Sequence, residues 1–243
     1  MVLKTIVPAM VPWVRIPPSP PKLLTLMCLN KSMQVTIFGA NGKVGRLVVE
    51  KALKKGLRVV AFSHSETILK ADPNLQIVQG DIYNSQDVNK AIMGSEIVIS
   101  ALGSWGTPNK DVLTEGMKNI IPSMNQQKIS RIISLTGSDA YVEGEKYNLL
   151  HRLTHLLIGL LAKKILQDGE RHLKLLKDSG LDWTVVRSPV MNNRGKPKNY
   201  VLTNNKIMPW STINRVSVAE CLIEQMTDRS YTQKAPYIKR NLI

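Results

Sequence analysis

A run of β-branched and aromatic residues, Val35-Thr36-Ile37-Phe38, passes directly into Gly39-Ala40-Asn41-Gly42-Lys43-Val44-Gly45, and helical spacing begins at once with Val44, Leu47, Val48, Ala52 and Leu53. Strand, glycine turn and helix in immediate succession leave few folds open, because glycine is demanded where a turn is tight or the backbone is closely approached. Gly39 suits the tight turn, Gly42 lets backbone amides come near an anion, and Gly45 lets the helix lie close to the strand. The free amides and dipole of the helix N-terminus favour linked phosphates, so Gly39, Ala40, Asn41, Gly42, Lys43, Val44 and Gly45 are read as the diphosphate loop of a dinucleotide site. The spacing is G-x-x-G-x-x-G rather than G-x-G-x-x-G, and a glycine turn without a ligand is the alternative.

From Gln34 onward, short apolar runs alternate with segments of helical period, which predicts a parallel sheet covered on both faces. Strands are expected at 34–38, 57–62, 75–79, 96–101, 130–135, 181–187 and 236–239. Leu113, Met117, Ile120 and Met124 form a second helical stripe, read as a core face. A long helical region from about 148 to 179 should stop at Gly180, with Lys174 and Lys177 near its last carbonyls. The final helix should open with the capping box Ser217-Val218-Ala219-Glu220. At 243 residues and 43% hydrophobic content the chain can bury one core, so the expectation is a single α/β domain over 33–243, a Rossmann-type doubly wound parallel sheet.

The segment 1–32 is rich in proline, including Pro17, Pro18, Pro20 and Pro21, and is expected to be a disordered or non-native extension ahead of the fold. It lacks acids, as a transit peptide does, but is poor in Arg and Ser. The stretch from Val14 to Lys22 resembles the translated end of a transfer-RNA gene, so Met33 is expected to be the true start. Only Cys28 and Cys221 could pair and no secretory signal is evident, which points to the cytoplasm. The net charge of +15 is spread rather than gathered into a basic helix with interleaved aromatics, so no nucleic-acid partner is expected. The longest apolar run, Leu156 to Ala162, falls well short of the roughly 20 residues of a membrane span, and no membrane partner is expected.

At the end of the second strand the sequence reads Val60-Ala61-Phe62-Ser63-His64-Ser65. An acid at that place would hold a ribose 2′-hydroxyl; Ser63, His64 and Ser65 can instead donate to a 2′-phosphate, so NADP(H) is favoured over NAD(H). Against this, Glu66 is near and the usual arginine is missing, and His64 is equally readable as an exposed loop residue.

These residues, together with Gly80-Asp81-Ile82, Ala101-Leu102-Gly103, Ser179 to Arg187 and Ile213 to Ala219, resemble the atypical short-chain dehydrogenase/reductase group, with NmrA-like and biliverdin/flavin-reductase-like proteins nearest. The resemblance runs from Met33 to about Thr227. It implies that Asp81 and Ile82 flank an adenine, that Ala101, Leu102 and Gly103 lie under the ribose and diphosphate, and that Pro189 and Val190 border a nicotinamide. Read from the residues alone, Asp81 could cap the next helix and 101–103 could be a plain turn.

The Tyr-x-x-x-Lys pair of the wider superfamily is absent: Tyr141 is followed four residues on by Glu145, and Tyr147 by His151. Thr136 and Ser138 are the candidates to hydrogen-bond a substrate carbonyl, with turn formation as the plainer use. The proton would then come from solvent, which suits flavin, quinone or conjugated tetrapyrrole acceptors. His151 and His155 have an i, i+4 metal-ligand spacing but no zincin glutamate and no third ligand, so they are read as surface residues and no metal is expected. Trp105 could stack on a planar substrate or pack on its neighbouring loop. The expected function is an NADPH-dependent oxidoreductase acting on a small or planar acceptor; the alternative is a non-catalytic NADP(H) sensor working through a protein partner.

Overall fold

Most of the β-branched runs are followed by a helix that crosses back over the sheet before the next run, and such crossovers place the strands in parallel. The computed structural model describes residues 33–66, 68–142, 144–145, 148–195, 197 and 199–241. The readings of residues 1–32 and of Tyr147 lie outside the described residues. Along the chain run β1 (Gln34–Phe38), α1 (Gly45–Lys54), β2 (Arg58–Ser63), β3 (Leu75–Gln79), α2 (Ser85–Ile92), β4 (Ile97–Ser100), α3 (Val112–Gln126), β5 (Arg131–Gly137), α4 (Leu149–Leu161), α5 (Lys163–Lys177), β6 (Asp182–Ser188), β7 (Val190–Asn192), β8 (Tyr200–Thr203), β9 (Thr212–Asn214), α6 (Arg215–Glu224) and β10 (Tyr237–Arg240).

The main sheet has the order β3-β2-β1-β4-β5-β6-β10-β8. Its pairs are parallel except β10 with β8. Strand order reverses between β1 and β4, which is where a doubly wound sheet opens a crevice at its carboxyl edge. The buried Val35, Ile37, Ile97 and Ile99 face α1 and α6, where Val48, Ala52, Val218 and Leu222 close one core. Phe38, Val98 and Ile132 face α2, α3 and α5, where Val88, Met117, Ile120, Leu173 and Leu176 close the other. No helix among the described residues is long and apolar enough to cross a membrane.

Three readings of the elements are corrected. The long helical region is two helices, broken at Ala162 (φ −141°, ψ 41°), and Lys174 binds Asp178 at 2.9 Å. The last helix does not open with Ser217. It begins at Arg215, capped by Asn214, whose side chain accepts from the Val216 amide at 2.8 Å. Ser217 and Glu220 lie inside that helix, buried, and Glu220 pairs with Lys51 of α1. The short strands β7, β8 and β9 were not expected; β7 and β9 form a separate two-stranded ribbon.

Candidate dinucleotide and substrate site

The glycine loop joins β1 to α1 at the reversal point. Gly39 has φ +75°, and a side chain there would meet the Ala101 carbonyl oxygen at 2.7 Å. A Cβ on Gly45 would fall 2.0 Å from the Gly39 oxygen, so α1 can approach β1 only because residue 45 has no side chain. Gly42 donates its amide to Gly39 O at 2.9 Å, closing the turn, and Ala101 donates to Phe38 O at 2.9 Å, which sets the 101–103 segment beside the loop. No side chain caps the start of α1, and its first turn carries no acid. The first amides of a helix have no partner inside it; here the Arg46 amide turns back to Gly42 O at 3.0 Å, and the dipole of this end favours an anion. Asn41 Oδ1 and Arg46 Nε are buried without a protein partner, a situation that costs about 1–3 kcal/mol per group unless a ligand or water meets it.

At the end of β2 the structure brings three of the expected residues together and divides their roles. Asn41 Nδ2 donates to Ser63 Oγ at 2.6 Å and to Glu66 O at 3.0 Å, and Ser63 Oγ donates to Ser65 O at 2.5 Å. Ser63 is buried and occupied in this bridge, while His64 and Ser65 are exposed. Asp81 does not cap the next helix. Its Oδ1 accepts from the Tyr83 amide at 3.0 Å, and the cap of α2 is Asn84, accepting from Gln86 at 2.9 Å. Ile82 is buried and Leu102 half-buried, and a side chain on Gly116 of α3 would come 2.9 Å from Leu102. Gly103 is exposed, Pro189 buried, and Val190 open to solvent.

Beyond β5 the geometry reassigns several side chains. The Thr136 hydroxyl is buried without a partner, 2.9 Å from where a Cβ on Gly169 would sit, so it abuts α5 rather than open space. Ser138 is half-buried and its amide donates to Ser188 O at 2.9 Å. Trp105 does not pack on the adjoining loop; its ring is 74% exposed. His151 and His155 are half-buried, and both rings turn toward the protein. His151 Nε2 lies 2.9 Å from Ile207 O, while His155 Nε2 lies 2.8 Å from Glu170 and its ring stacks on Tyr141 at 3.7 Å. Tyr141 donates its hydroxyl to His151 O at 3.0 Å, and burial raises its pKa. A proton-shuttling tyrosine needs the opposite shift.

Side chains that the sequence reading did not single out complete this region. Asp168 of α5 is buried and accepts from the amides of Leu113 (3.1 Å) and Thr114 (2.8 Å) and from Ser104, so a distant carboxylate caps α3. Buried His172 lies 2.8 Å from Ser134 Oγ, and burial lowers its pKa to about 4. Arg187 grips Glu145 through both terminal nitrogens (2.8 and 2.6 Å) and lies over the Tyr237 ring at 3.8 Å. That pair ties the loop after β5 to the end of β6. Two hollows share Tyr141, one of 390 Å³ with Glu170, Leu173 and Trp183, the other of 560 Å³ with Leu149, Arg152, Leu153 and His155. Neither is lined by the glycine loop.

The profile of a family described as NAD(P)H-binding matches residues 39–229, most of the chain. An uncharacterized chloroplastic protein of Arabidopsis thaliana is 26% identical over 208 residues, covering 81% of this chain and 72% of that one. A 2-alkyl-3-oxoalkanoate reductase of Shewanella oneidensis is 25% identical over 118 residues, covering 45% of this chain and only 30% of the enzyme. Among solved structures, the anaerobillin reductase ChuY of Escherichia coli O157:H7 superposes with a TM-score of 0.71 at 18% identity, over 87% of this chain and 98% of that one. A short-chain dehydrogenase/reductase of Veillonella parvula in complex with NADP gives 0.68 at 16% identity, over 86% and 94%. The solved structures share the fold, and the matched profile makes the chain a member of the NAD(P)H-binding family.

Proposed function

We propose that the protein is an NADPH-dependent reductase of a small or planar acceptor of flavin, quinone or carbonyl type. The observation that carries the reading is the uncapped α1 N-terminus beneath a loop in which Gly39 and Gly45 leave no room for side chains, flanked by the unpartnered Asn41 Oδ1 and Arg46 Nε. Those residues fit a dinucleotide diphosphate. Gly39 to Gly45 would hold the phosphates, with Asp81 and Ile82 toward the adenine, Ala101 to Gly103 under the ribose, and Pro189 and Val190 beside the nicotinamide. The exposed His64 and Ser65 would receive a 2′-phosphate, on a platform that Ser63 and Asn41 hold in place. When bound, the reduced nicotinamide supplies a hydride.

On the protein side, Tyr141 is bound through its hydroxyl and Thr136 is closed off by α5, which leaves Ser138 to orient a substrate oxygen and water to deliver the proton. The same commitment of Tyr141 supports the second reading, a non-catalytic NADP(H) sensor that acts through a protein partner. Titration of the purified protein with NADPH and NADH, followed by a screen of acceptors for loss of reduced-nicotinamide absorbance, separates the two. Tighter NADPH binding with turnover of a planar acceptor supports the reductase. Selective binding with no turnover across flavins, quinones, tetrapyrroles and carbonyls leaves the sensor, and no binding of either coenzyme ends both readings.

A further inference from the structure

Helix α4 is amphipathic with its faces reversed. At about 100° per residue, every leucine of α4 falls within one arc of about 140°, and these leucines are exposed by 40% (Leu150) to 88% (Leu161). The opposite face carries His151 and His155, which bind Ile207 O and Glu170. No residue of α4 is buried. Water against so continuous an apolar stripe is unfavourable, and soluble proteins seldom keep one uncovered.

The charges around the stripe say what covers it. The helix holds no acid; Arg152 stands at one flank, and exposed Lys163 and Lys164 follow its C-terminal end in a chain of net charge +15. The segment that His151 holds against α4 exposes Met208 (54%) and Trp210 (69%), and an indole is at home where apolar and polar media meet. A twofold dimer through this face would set each cluster of cations against its own copy. A bilayer with anionic headgroups accepts both the leucines and the cations. The helix spans only about 20 Å at 1.5 Å per residue, too short to cross.

We propose that α4, with Met208 and Trp210, docks the protein on an anionic phospholipid surface, lying in the plane of the interface. The sequence expectation of no membrane partner weighed only the length of apolar runs, and a helix that lies on a membrane needs an arc rather than a run.

The full chain, mixed with vesicles of phosphatidylcholine alone or with added phosphatidylglycerol, is followed by flotation. Binding to the mixed vesicles that weakens in high salt is the expected result, together with a blue shift of tryptophan emission that Trp210→Phe diminishes. The double variant Leu157→Glu/Leu160→Glu alters exposed positions, so an unchanged melting temperature certifies its fold, and its bound fraction should drop by about tenfold. Lys163→Gln/Lys164→Gln should keep the fold and lose most of the preference for anionic vesicles. The proposal fails if the wild type stays with the unbound fraction in the presence of mixed vesicles. It fails equally if the chain is a dimer that the leucine variants convert to monomer without any vesicle binding, which would give the face to a second copy.

Discussion

Gly45 has less room than either other glycine of the diphosphate loop, because an added methyl would sit 2.0 Å from the Gly39 carbonyl oxygen, itself part of a turn pinned by the Gly42 amide. Neither atom belongs to a flexible side chain, so Gly45→Ala must push α1 away from β1. The expected outcome is a loss of stability of about 1–3 kcal/mol, read by thermal melting, and a loss of coenzyme affinity out of proportion to it. Gly42→Asp tests the electrostatics separately, since an anion at the mouth should abolish coenzyme binding while the fold persists. His172 makes a different prediction. Its ring is fully buried with a pKa of about 4 against an ordinary 6.5. Above pH 6.5 both folded and unfolded chains hold the ring neutral, and its contribution is fully present. As the pH falls from 6.5 toward 4 the unfolded chain takes up a proton that the folded chain refuses, so stability declines, by up to about 3 kcal/mol at the acid end. His172→Gln keeps a polar group for Ser134 and removes the titration. Its melting temperature should therefore vary less than that of the wild type between pH 6.5 and about 4.5, and equal slopes would contradict the assignment.

The start of α6 shows how an element can be mislocated by a sound local rule. Ser217 and Glu220 have the spacing of a capping box, yet the Ser217 hydroxyl is buried without a partner and Asn214 holds the cap. Asn214 also donates to the carbonyls of Arg194 and Gly195 at 3.1 Å each, which anchors the loop after β7. Asn214→Ala should cost about 1–2 kcal/mol, whereas Ser217→Ala should stay within about 0.5 kcal/mol; chemical denaturation of the two variants distinguishes the caps. The main strands were legible because burial on both faces demands runs of Val and Ile, as in Val59 to Phe62 and Ile97 to Ile99. The glycine loop was legible because its steric needs are local. Strands β7, β8 and β9 were not, since three or four residues with Asn and Thr among them carry no period. Asp168 as the cap of α3 could not be found from spacing, because it lies 54 residues from the amide of Thr114. The histidines of α4 were misplaced for another reason. With no third metal ligand in sight the sequence reading leaves them on the surface, whereas both imidazoles turn toward the protein, onto Ile207 O and Glu170.

At the scale of the whole molecule, a net charge of +15 on 243 residues attracts anions at long range, and salt weakens that attraction. A 2′-phosphate adds about 1.5 to 2 negative charges to a coenzyme, so NADPH and NADH should respond differently to ionic strength if His64 and Ser65 receive that phosphate. Between about 0.01 M and about 0.1 M salt the screening length contracts from about 30 Å to about 10 Å, and both dissociation constants should rise. The plot of log affinity against log salt should be steeper for NADPH, and the two curves should converge as salt increases. His64→Ala/Ser65→Ala, which leaves the Asn41–Ser63 bridge in place, should bring the NADPH slope toward that of NADH while leaving NADH itself unchanged. Parallel slopes in the wild type would mean that the 2′-phosphate stays in bulk water. Any selectivity between the two coenzymes would then have to come from groups away from the end of β2.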